Sequence, residues 1–208
     1  FYGVSSPRRP ARFSNAFEQD GITSDDYGTN SGHLLLLGDS HGGMWAKVVE
    51  DIASDLKVAT LSFTSNGNKP FFDLNDIEAQ LAINGFSREQ RISYAKAVIQ
   101  AIEDENLRLV IIACRWQTMT AIDWSRFHDV LSLLEGRGID VLSFNQPPFL
   151  DFMVNKNANQ YFSYLGFDPV QGFNRNAILD TSAVVHSNRD LSDMVGVYAN
   201  VSVFDAYN

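Results

Sequence analysis

Cysteine is nearly absent from this chain of 208 residues, and long hydrophobic runs are missing altogether. The single cysteine, Cys114, cannot form an internal disulfide, and its apolar surroundings favour burial over reactivity. No run of about 18 apolar residues is present, so the sequence predicts no membrane-spanning helix. A charged-then-apolar leader with a cleavage site is also lacking. This does not exclude that the sequence is a piece of a longer protein.

Basic residues are scarce relative to acidic ones. Lys and Arg together number 16 against 25 Asp and Glu, which gives a formal net charge of −9, and the only dense basic segment lies at residues 8–12. A chain of this charge repels nucleic acid and anionic lipid, so we predict neither as a partner. Apolar residues are plentiful, at 45%, and are sufficient for one compact domain with a single core.

Apolar strand-like runs alternate with helical patterns along the chain. Helices are predicted over residues 44–55, from a capping box at Ser87, and over residues 124–134, where Gly136 or Gly138 stops the helix. The strand-like runs are residues 34–37, 58–63, 109–113, 141–144 and 201–204. This alternation predicts an α/β fold, a three-layer α/β/α sandwich around a parallel sheet of about five strands.

Two stretches depart from this alternation. Residues 1–32 are polar and predict a lead-in arm or linker ahead of a domain over residues 33–208. Residues 145–187 are rich in Asn, Phe and Gln, and they are too long for a plain connection in a compact domain. Their aromatic side chains either line a substrate groove or pack over the sheet edge, and we favour packing.

The turn after the first predicted strand carries the sharpest chemical signal. Four leucines end at Gly38 and are followed at once by Asp39, Ser40 and His41. Ser40 therefore lies on a strand-to-helix turn at the carboxyl edge of the sheet, where the first N–H groups of the helix face a developing negative charge. We predict Ser40 as a nucleophile. Asp39 is expected to hold the turn rigid, and His41 to order the turn or touch the substrate.

A serine nucleophile also needs donors for the oxyanion. The Ser40 N–H is one candidate. The loop after the second strand offers Gly67 N–H, with the Asn66 and Asn68 side chains as alternatives, although an ordinary turn also explains this segment. Further candidates follow the third strand at the same edge: Arg115, Trp116 and Gln117.

These segments resemble the SGNH hydrolase superfamily. More narrowly, they are similar to the SGNH domains that are fused to, or work beside, the acyltransferase family three membrane proteins that O-acetylate bacterial surface polysaccharides. The resemblance rests on residues 38–41, the Gly67 loop, residues 113–116 and residues 144–148. It implies a flavodoxin-like SGNH hydrolase fold, with Ser40 as nucleophile and an oxyanion hole formed by Ser40, Gly67 and Arg115. The supporting residues would be Asp39, His41, Asn66 and Trp116.

The sequence departs from the family pattern in two places. Arg115, Trp116 and Gln117 stand where many members carry Gly-x-Asn-Asp, and no Asp-x-x-His pair occurs in the 208 residues. We expect the chain to lack its C-terminal catalytic segment, with that pair following Asn208. His186, the only histidine in the last third of the chain, is expected in a solvated loop ahead of a helix that Asn188 opens.

The resemblance implies a serine-dependent O-acyltransferase that transfers an acetyl group to a bacterial surface polysaccharide, such as a lipopolysaccharide, through an acyl-serine. Its partners would be an acyl donor, a glycan acceptor and a membrane acyltransferase domain in the same or a partner chain. The implied location is extracytoplasmic, in the periplasm and tethered to the inner membrane. No metal or cofactor is needed.

Three other functions use the same residues. If water resolves the acyl-serine, the protein is a carbohydrate O-acetylesterase. A non-catalytic glycan-binding module on the same fold is the second alternative. The third is a metal-dependent phosphoesterase with Asp39 and His41 as ligands, but the further ligands that two divalent ions require are missing from the later strand ends.

Overall fold

The computed structural model describes residues 23–25, 33–64, 69–81, 86–104, 106–146 and 182–205. The strands are β1 (Thr23–Asp25), β2 (His33–Gly38), β3 (Ala59–Thr64), β4 (Leu107–Ala113), β5 (Asp140–Phe144) and β6 (Val201–Phe204). The α-helices are α1 (Ser40–Leu56), α2 (Arg88–Ile102), α3 (Ala121–Gly136) and α4 (Ser182–Val195), and short 3₁₀ turns occur at Ile77–Ala79 and Trp116–Thr118. Within these ranges, no helix combines the length and the apolar character needed to cross a membrane.

The strands form a single sheet in the order β1-β3-β2-β4-β5-β6. Strands β2 to β6 are parallel, and β1 pairs antiparallel with β3. Without β1, this is the flavodoxin-like order, in which the chain reverses its direction across the sheet between β2 and β4. The predicted fold class and five parallel strands are therefore confirmed. The carboxyl ends of β2 and β4 mark the switch point, where ligands bind in open α/β sheets.

The leucine run of β2 is buried on both faces of the sheet. Leu34 and Leu36 pack with α1 side chains in one core, whereas Leu35 and Leu37 belong to a larger core on the opposite face. Helices α2, α3 and α4 contribute to that larger core. The helices therefore lie in two layers around the sheet, which explains why β2 is uniformly apolar and does not alternate. Cys114 is buried as predicted, and burial raises the pKa of its thiol well above the ordinary value.

Two capping boxes fix the starts of α2 and α3. Ser87 and Gln90 exchange the expected pair of hydrogen bonds, which confirms the predicted start of α2. Thr120 and Asp123 do the same for α3, so this helix begins slightly before the predicted residue 124 and ends at Gly136. Each box satisfies backbone N–H groups that would otherwise have no partner in the first turn.

Helix α4 begins at Ser182 rather than at Asn188, so the predicted loop position of His186 is wrong. His186 lies on the exposed side of α4, with its Nε2 3.7 Å from Asp190 Oδ2. Val184, Leu191 and Val195 fall on one buried face of α4, and Ser187, which is buried with them, interrupts the apolar period in the sequence. Residues 147–181, which make up most of the aromatic-rich stretch at residues 145–187, lie outside the described residues, so the prediction that its aromatic side chains pack over the sheet edge stays a prediction.

Strand β1 falls within the predicted arm of residues 1–32 and was not expected from the sequence. Its three residues pair with Thr60 to Ser62 of β3 at the edge of the sheet. A strand this short has no periodicity to detect. The other residues of the arm lie outside the described part of the chain, and the boundary between arm and domain stays a prediction.

Candidate active site

Ser40 is the first residue of α1 and follows directly on the turn that leaves β2. Asp39 is the N-cap of the helix, and Ser40 is exposed while both of its neighbours, Asp39 and His41, are buried. The turn lies at the carboxyl edge of the sheet beside the switch point. The chain therefore presents this hydroxyl to solvent above the sheet, next to the N-terminus of a 17-residue helix.

Gly38 and Gly42 let the backbone pack closely around this turn. A Cβ at Gly38 would lie 2.3 Å from the Ala113 carbonyl oxygen and 2.6 Å from the Gly42 Cα. A Cβ at Gly42 would lie 3.0 Å from the same oxygen. Both glycines are therefore needed for the start of α1 to sit directly against the end of β4.

Asp39 joins the two sides of the switch point. Its Oδ1 accepts from the His41 N–H at 2.8 Å, which caps α1, and its Oδ2 accepts from the Arg115 N–H at 2.9 Å. The carboxylate is buried, so both bonds are shielded from water. Each oxygen thus holds a backbone group, one in the turn and one in the segment after β4.

His41 lies in the first turn of α1 with its side chain buried. Burial lowers its pKa, and the nearby Arg115 lowers it further, while the Asp39 carboxylate acts in the opposite direction. The imidazole is therefore neutral at neutral pH. The ring is therefore a buried neutral group next to Ser40 in the chain, and both roles expected for His41 stay predictions.

The three candidate residues that follow β4 and Cys114 occupy different environments. The Arg115 N–H donates to Asp39, so the Arg115 side chain is the part of this residue that can contact a substrate. Trp116 is buried in the larger core, where its indole N–H donates to the Phe144 carbonyl at 2.7 Å. Trp116 therefore supports the site from below, by tying the end of β4 to the end of β5.

Gln117 and Gln146 form a link across the same edge that the sequence analysis missed. The Gln117 N–H donates to Gln146 Oε1 at 3.0 Å. Asn188 of α4 pairs with the backbone of Gln146 through two bonds, from the Gln146 N–H at 2.9 Å and to its carbonyl at 3.0 Å. The only sequence signal was the polar pair Asn145 and Gln146 directly after β5.

The predicted oxyanion residue Gly67 and its neighbours Asn66 and Asn68 lie outside the described residues. Lys69, where the description resumes, donates to the Thr118 carbonyl at 2.9 Å and lies 3.4 Å from Asp123 Oδ2. The segment after β3 is thereby held against the segment after β4. Both segments leave the same carboxyl edge from which Ser40 projects.

The other histidines lie on separate elements. His33, at the amino end of β2, bonds to Asp104 at 2.7 Å, and His128 is exposed on α3 beside Tyr198. In the described ranges, no three His, Cys, Asp or Glu side chains are grouped so that they could hold a metal ion. The two oxygens of Asp39 each accept a backbone N–H, so this carboxylate stabilises the turn.

The fold and the serine turn together define a flavodoxin-like α/β protein of the SGNH hydrolase type. A family model described as the SGNH domain that is fused to AT3 domains, where AT3 denotes acyltransferase family three, matches residues 11–208. The chain belongs to this family. A search of curated proteins found no match to it. Family membership places the chain among hydrolase-type and acyl-transfer proteins, and it associates the domain with a membrane acyltransferase domain.

Proposed function

We propose that this protein is a serine-dependent O-acyltransferase that moves an acetyl group onto a bacterial surface polysaccharide through an acyl-Ser40 intermediate. The observation that carries the proposal is the placement of Ser40. It is exposed at the first position of α1, on a turn that Asp39 ties to the end of β4. The fusion of the family to AT3 domains supports acyl transfer over other serine chemistry.

In the proposed first step, Ser40 Oγ forms a bond to the acyl carbon of a donor ester. The tetrahedral oxyanion is stabilised by the Ser40 N–H at the start of α1, with Gly67 N–H as the second donor. The intermediate then collapses, the bond to the donor alkoxide breaks, and the alkoxide leaves with the proton taken from Ser40. In the second step, an acceptor hydroxyl attacks the acyl carbon and loses its proton, the bond from that carbon to Ser40 Oγ breaks, and the proton passes to Ser40 Oγ.

The proton carrier in both steps is proposed to be the histidine of an Asp-x-x-His pair following Asn208. Strand β6 runs parallel to β5, so its carboxyl end lies at the same edge of the sheet as Ser40. Residues that follow such a strand emerge at the edge where the acyl group is transferred.

We also propose an extracytoplasmic location, since a surface glycan and the AT3 domain would meet this domain there.

Acetylation of Ser40 tests the proposal directly. The full-length protein is incubated with 4-nitrophenyl acetate, and the acetylated residue is identified by peptide mass spectrometry. We expect one acetyl group on Ser40, and none at this site in Ser40→Ala. Ser54→Ala is the matched control, since Ser54 is exposed further along the same helix. Equal ester turnover by wild type and Ser40→Ala would contradict a Ser40 nucleophile.

The fate of the acetyl group separates transferase from esterase. With a glycan acceptor present, an acetylated glycan should form at the expense of free acetate. Release of acetate alone, unaffected by any glycan, would instead support the O-acetylesterase alternative. Glycan binding by Ser40→Ala with no acetylation of the wild type would support the non-catalytic binding module.

A further inference from the structure

Arg115 lies beside the Ser40 turn at the switch point of the sheet. It follows the last residue of β4 by two positions, and its N–H is bonded to Asp39 Oδ2 at 2.9 Å. This bond places the backbone of Arg115 next to the residue that caps α1. The half-buried side chain therefore starts at the edge of the sheet from which Ser40 projects.

A series of hydrogen bonds holds the Arg115 guanidinium in place. With its amide oriented to satisfy the contact, Gln117 Oε1 accepts from Arg115 Nε at 3.1 Å and from Nη2 at 2.8 Å. The backbone N–H of Gln117 donates to Gln146 Oε1, and the backbone of Gln146 is paired with the Asn188 side chain of α4. Such support fixes the orientation of the guanidinium before a ligand arrives, which lowers the entropy lost on binding.

The chemistry of this group points to an anion. A guanidinium presents a planar set of N–H donors that matches a carboxylate or a phosphate, and it stays charged at any physiological pH. The chain as a whole carries a formal charge of −9, so its average field repels anions. The Arg115 guanidinium is a positive charge that starts from the same sheet edge as Ser40, and it attracts an anion locally.

We propose that Arg115 binds a carboxylate or phosphate group of the glycan acceptor and makes the site selective for acidic glycans. This inference rests on the proposed acyl transfer through Ser40 and assigns the acceptor class for that reaction. Arg115 forms no covalent bond in either step. It orients the acceptor so that a neighbouring hydroxyl faces the acyl-serine.

The test compares acceptors that differ in charge alone. The full-length protein receives its acetyl group from uncharged 4-nitrophenyl acetate, and transfer is measured to methyl glucuronoside and to methyl glucoside. Glucose 6-phosphate serves as the phosphate acceptor. We expect wild type to favour at least one anionic acceptor over the glucoside by at least about tenfold in kcat/KM, which corresponds to about 1.4 kcal/mol. In Arg115→Gln, this ratio should fall close to one, whatever the rate of Ser40 acetylation in the variant.

Arg108→Gln is the matched control, because it removes the same charge from an exposed position on β4, the strand that precedes Arg115. It should leave the acceptor ratio as in wild type. Arg115→Lys keeps the charge but loses the planar donor set, so an intermediate ratio is expected. If Arg115→Gln does not fold, the wild-type ratio still tests the proposal, since a charge contact with the acceptor weakens as salt is raised.

Other outcomes would overturn the inference. Equal use of neutral and anionic acceptors by wild type is one. Slower acetylation of Ser40 in Arg115→Gln at an unchanged acceptor ratio would make Arg115 an oxyanion donor instead. A preference for anionic donors, but not acceptors, would assign the contact to the donor. If wild-type Ser40 is never acetylated, the proposed function fails, and direct binding of glucuronoside against glucoside by ligand-observed NMR still decides the role of Arg115.

Discussion

Asp39 shows how one side chain can set the geometry of a whole turn. Its side chain is buried. One carboxylate oxygen accepts from the N–H of His41, 2 positions away in the chain, and the other accepts from the N–H of Arg115, 76 positions away. Gly38 and Gly42 allow the same region to pack against the Ala113 carbonyl. Ser40 is therefore held by its neighbours, while its own side chain stays exposed to solvent. A nucleophile placed in this way needs little reorganisation when a substrate binds.

His41 makes the stability of the protein depend on pH. In the folded state its pKa is lowered, chiefly by burial. In the unfolded chain a histidine has its ordinary pKa of about 6.5. As pH falls through that value, the unfolded state takes up a proton that the folded state does not, so stability decreases. The loss ends once pH passes below the folded-state pKa.

We expect His41→Gln to remove this part of the acid-side loss. Urea unfolding of wild type and His41→Gln is measured from pH 8 to pH 4, and the two free energies are subtracted so that all other groups cancel. The difference should change with a slope of at most about 1.4 kcal/mol per pH unit, with wild type losing stability relative to the variant as pH falls. A difference that is constant across this range would mean that the imidazole protonates equally in both states.

Local and distant contacts of the site differ in how far the sequence reveals them. The role of Gly38, Asp39 and Ser40 as a strand-to-helix turn follows from an apolar run, a glycine and a helical period that are adjacent in the chain. The bond from Arg115 to Asp39 does not follow, because it depends on β4 lying next to β2. The clamp of Asn188 on Gln146 depends on α4 in the same way.

Helix α1 carries an unusual exposed surface for a helix that packs on a sheet. Its apolar side chains recur every fourth residue on the solvent side, starting one turn after Ser40. They are Met44 (68% exposed), Val48 (46%), Ile52 (52%) and Leu56 (65%). The buried face of the helix is separate and includes Ala46, Val49 and Ala53. The stability of α1 on the sheet should therefore come from the second set alone.

The adjacent valines Val48 and Val49 test this division with identical chemistry. Val49 is 4% exposed and belongs to the core beneath α1, whereas Val48 is 46% exposed. We expect Val49→Ala to lower the free energy of unfolding by about 1–3 kcal/mol, through lost burial and the cavity left behind. Val48→Ala should change it by less than about 0.5 kcal/mol. Both are measured by urea denaturation, and a comparable loss at Val48 would show that this row is covered in solution.

Most elements of the fold could be predicted because their signals are long and periodic. The five parallel strands and helices α1 to α3 all occur where the apolar pattern indicated, with limits that shift by a few residues. Helix α4 was placed too late because only three of its positions, Val184, Leu191 and Val195, carry the buried face among the apolar residues. Strand β1 is defined by its pairing with β3 and not by any pattern of its own.

The described molecule is asymmetric about its sheet. In the described ranges, α1 covers one face with a small core, while α2, α3 and α4 cover the other with the larger one. On the α1 face, the rings of Trp45, Phe144 and Phe204 form a row towards the β6 edge, with centroids 4.9 and 5.0 Å apart. Phe204 at the end of this row is 44% exposed. Among the described residues, the side chains of β6 are therefore less buried than those of β2.

This difference in burial predicts the pattern of amide hydrogen exchange across the sheet. Among the described strands, β2 is paired on both sides, whereas β6 is paired with β5 alone and β1 with β3 alone. Exposing the amides of Leu35 to Leu37 requires opening of the whole core, so they should exchange with a free energy near that of global unfolding. Amides of β1 and β6 should exchange at least about tenfold faster through local opening. Native-state exchange monitored by NMR measures both sets, and equal protection of β2 and β6 would show that the β6 edge is covered in solution.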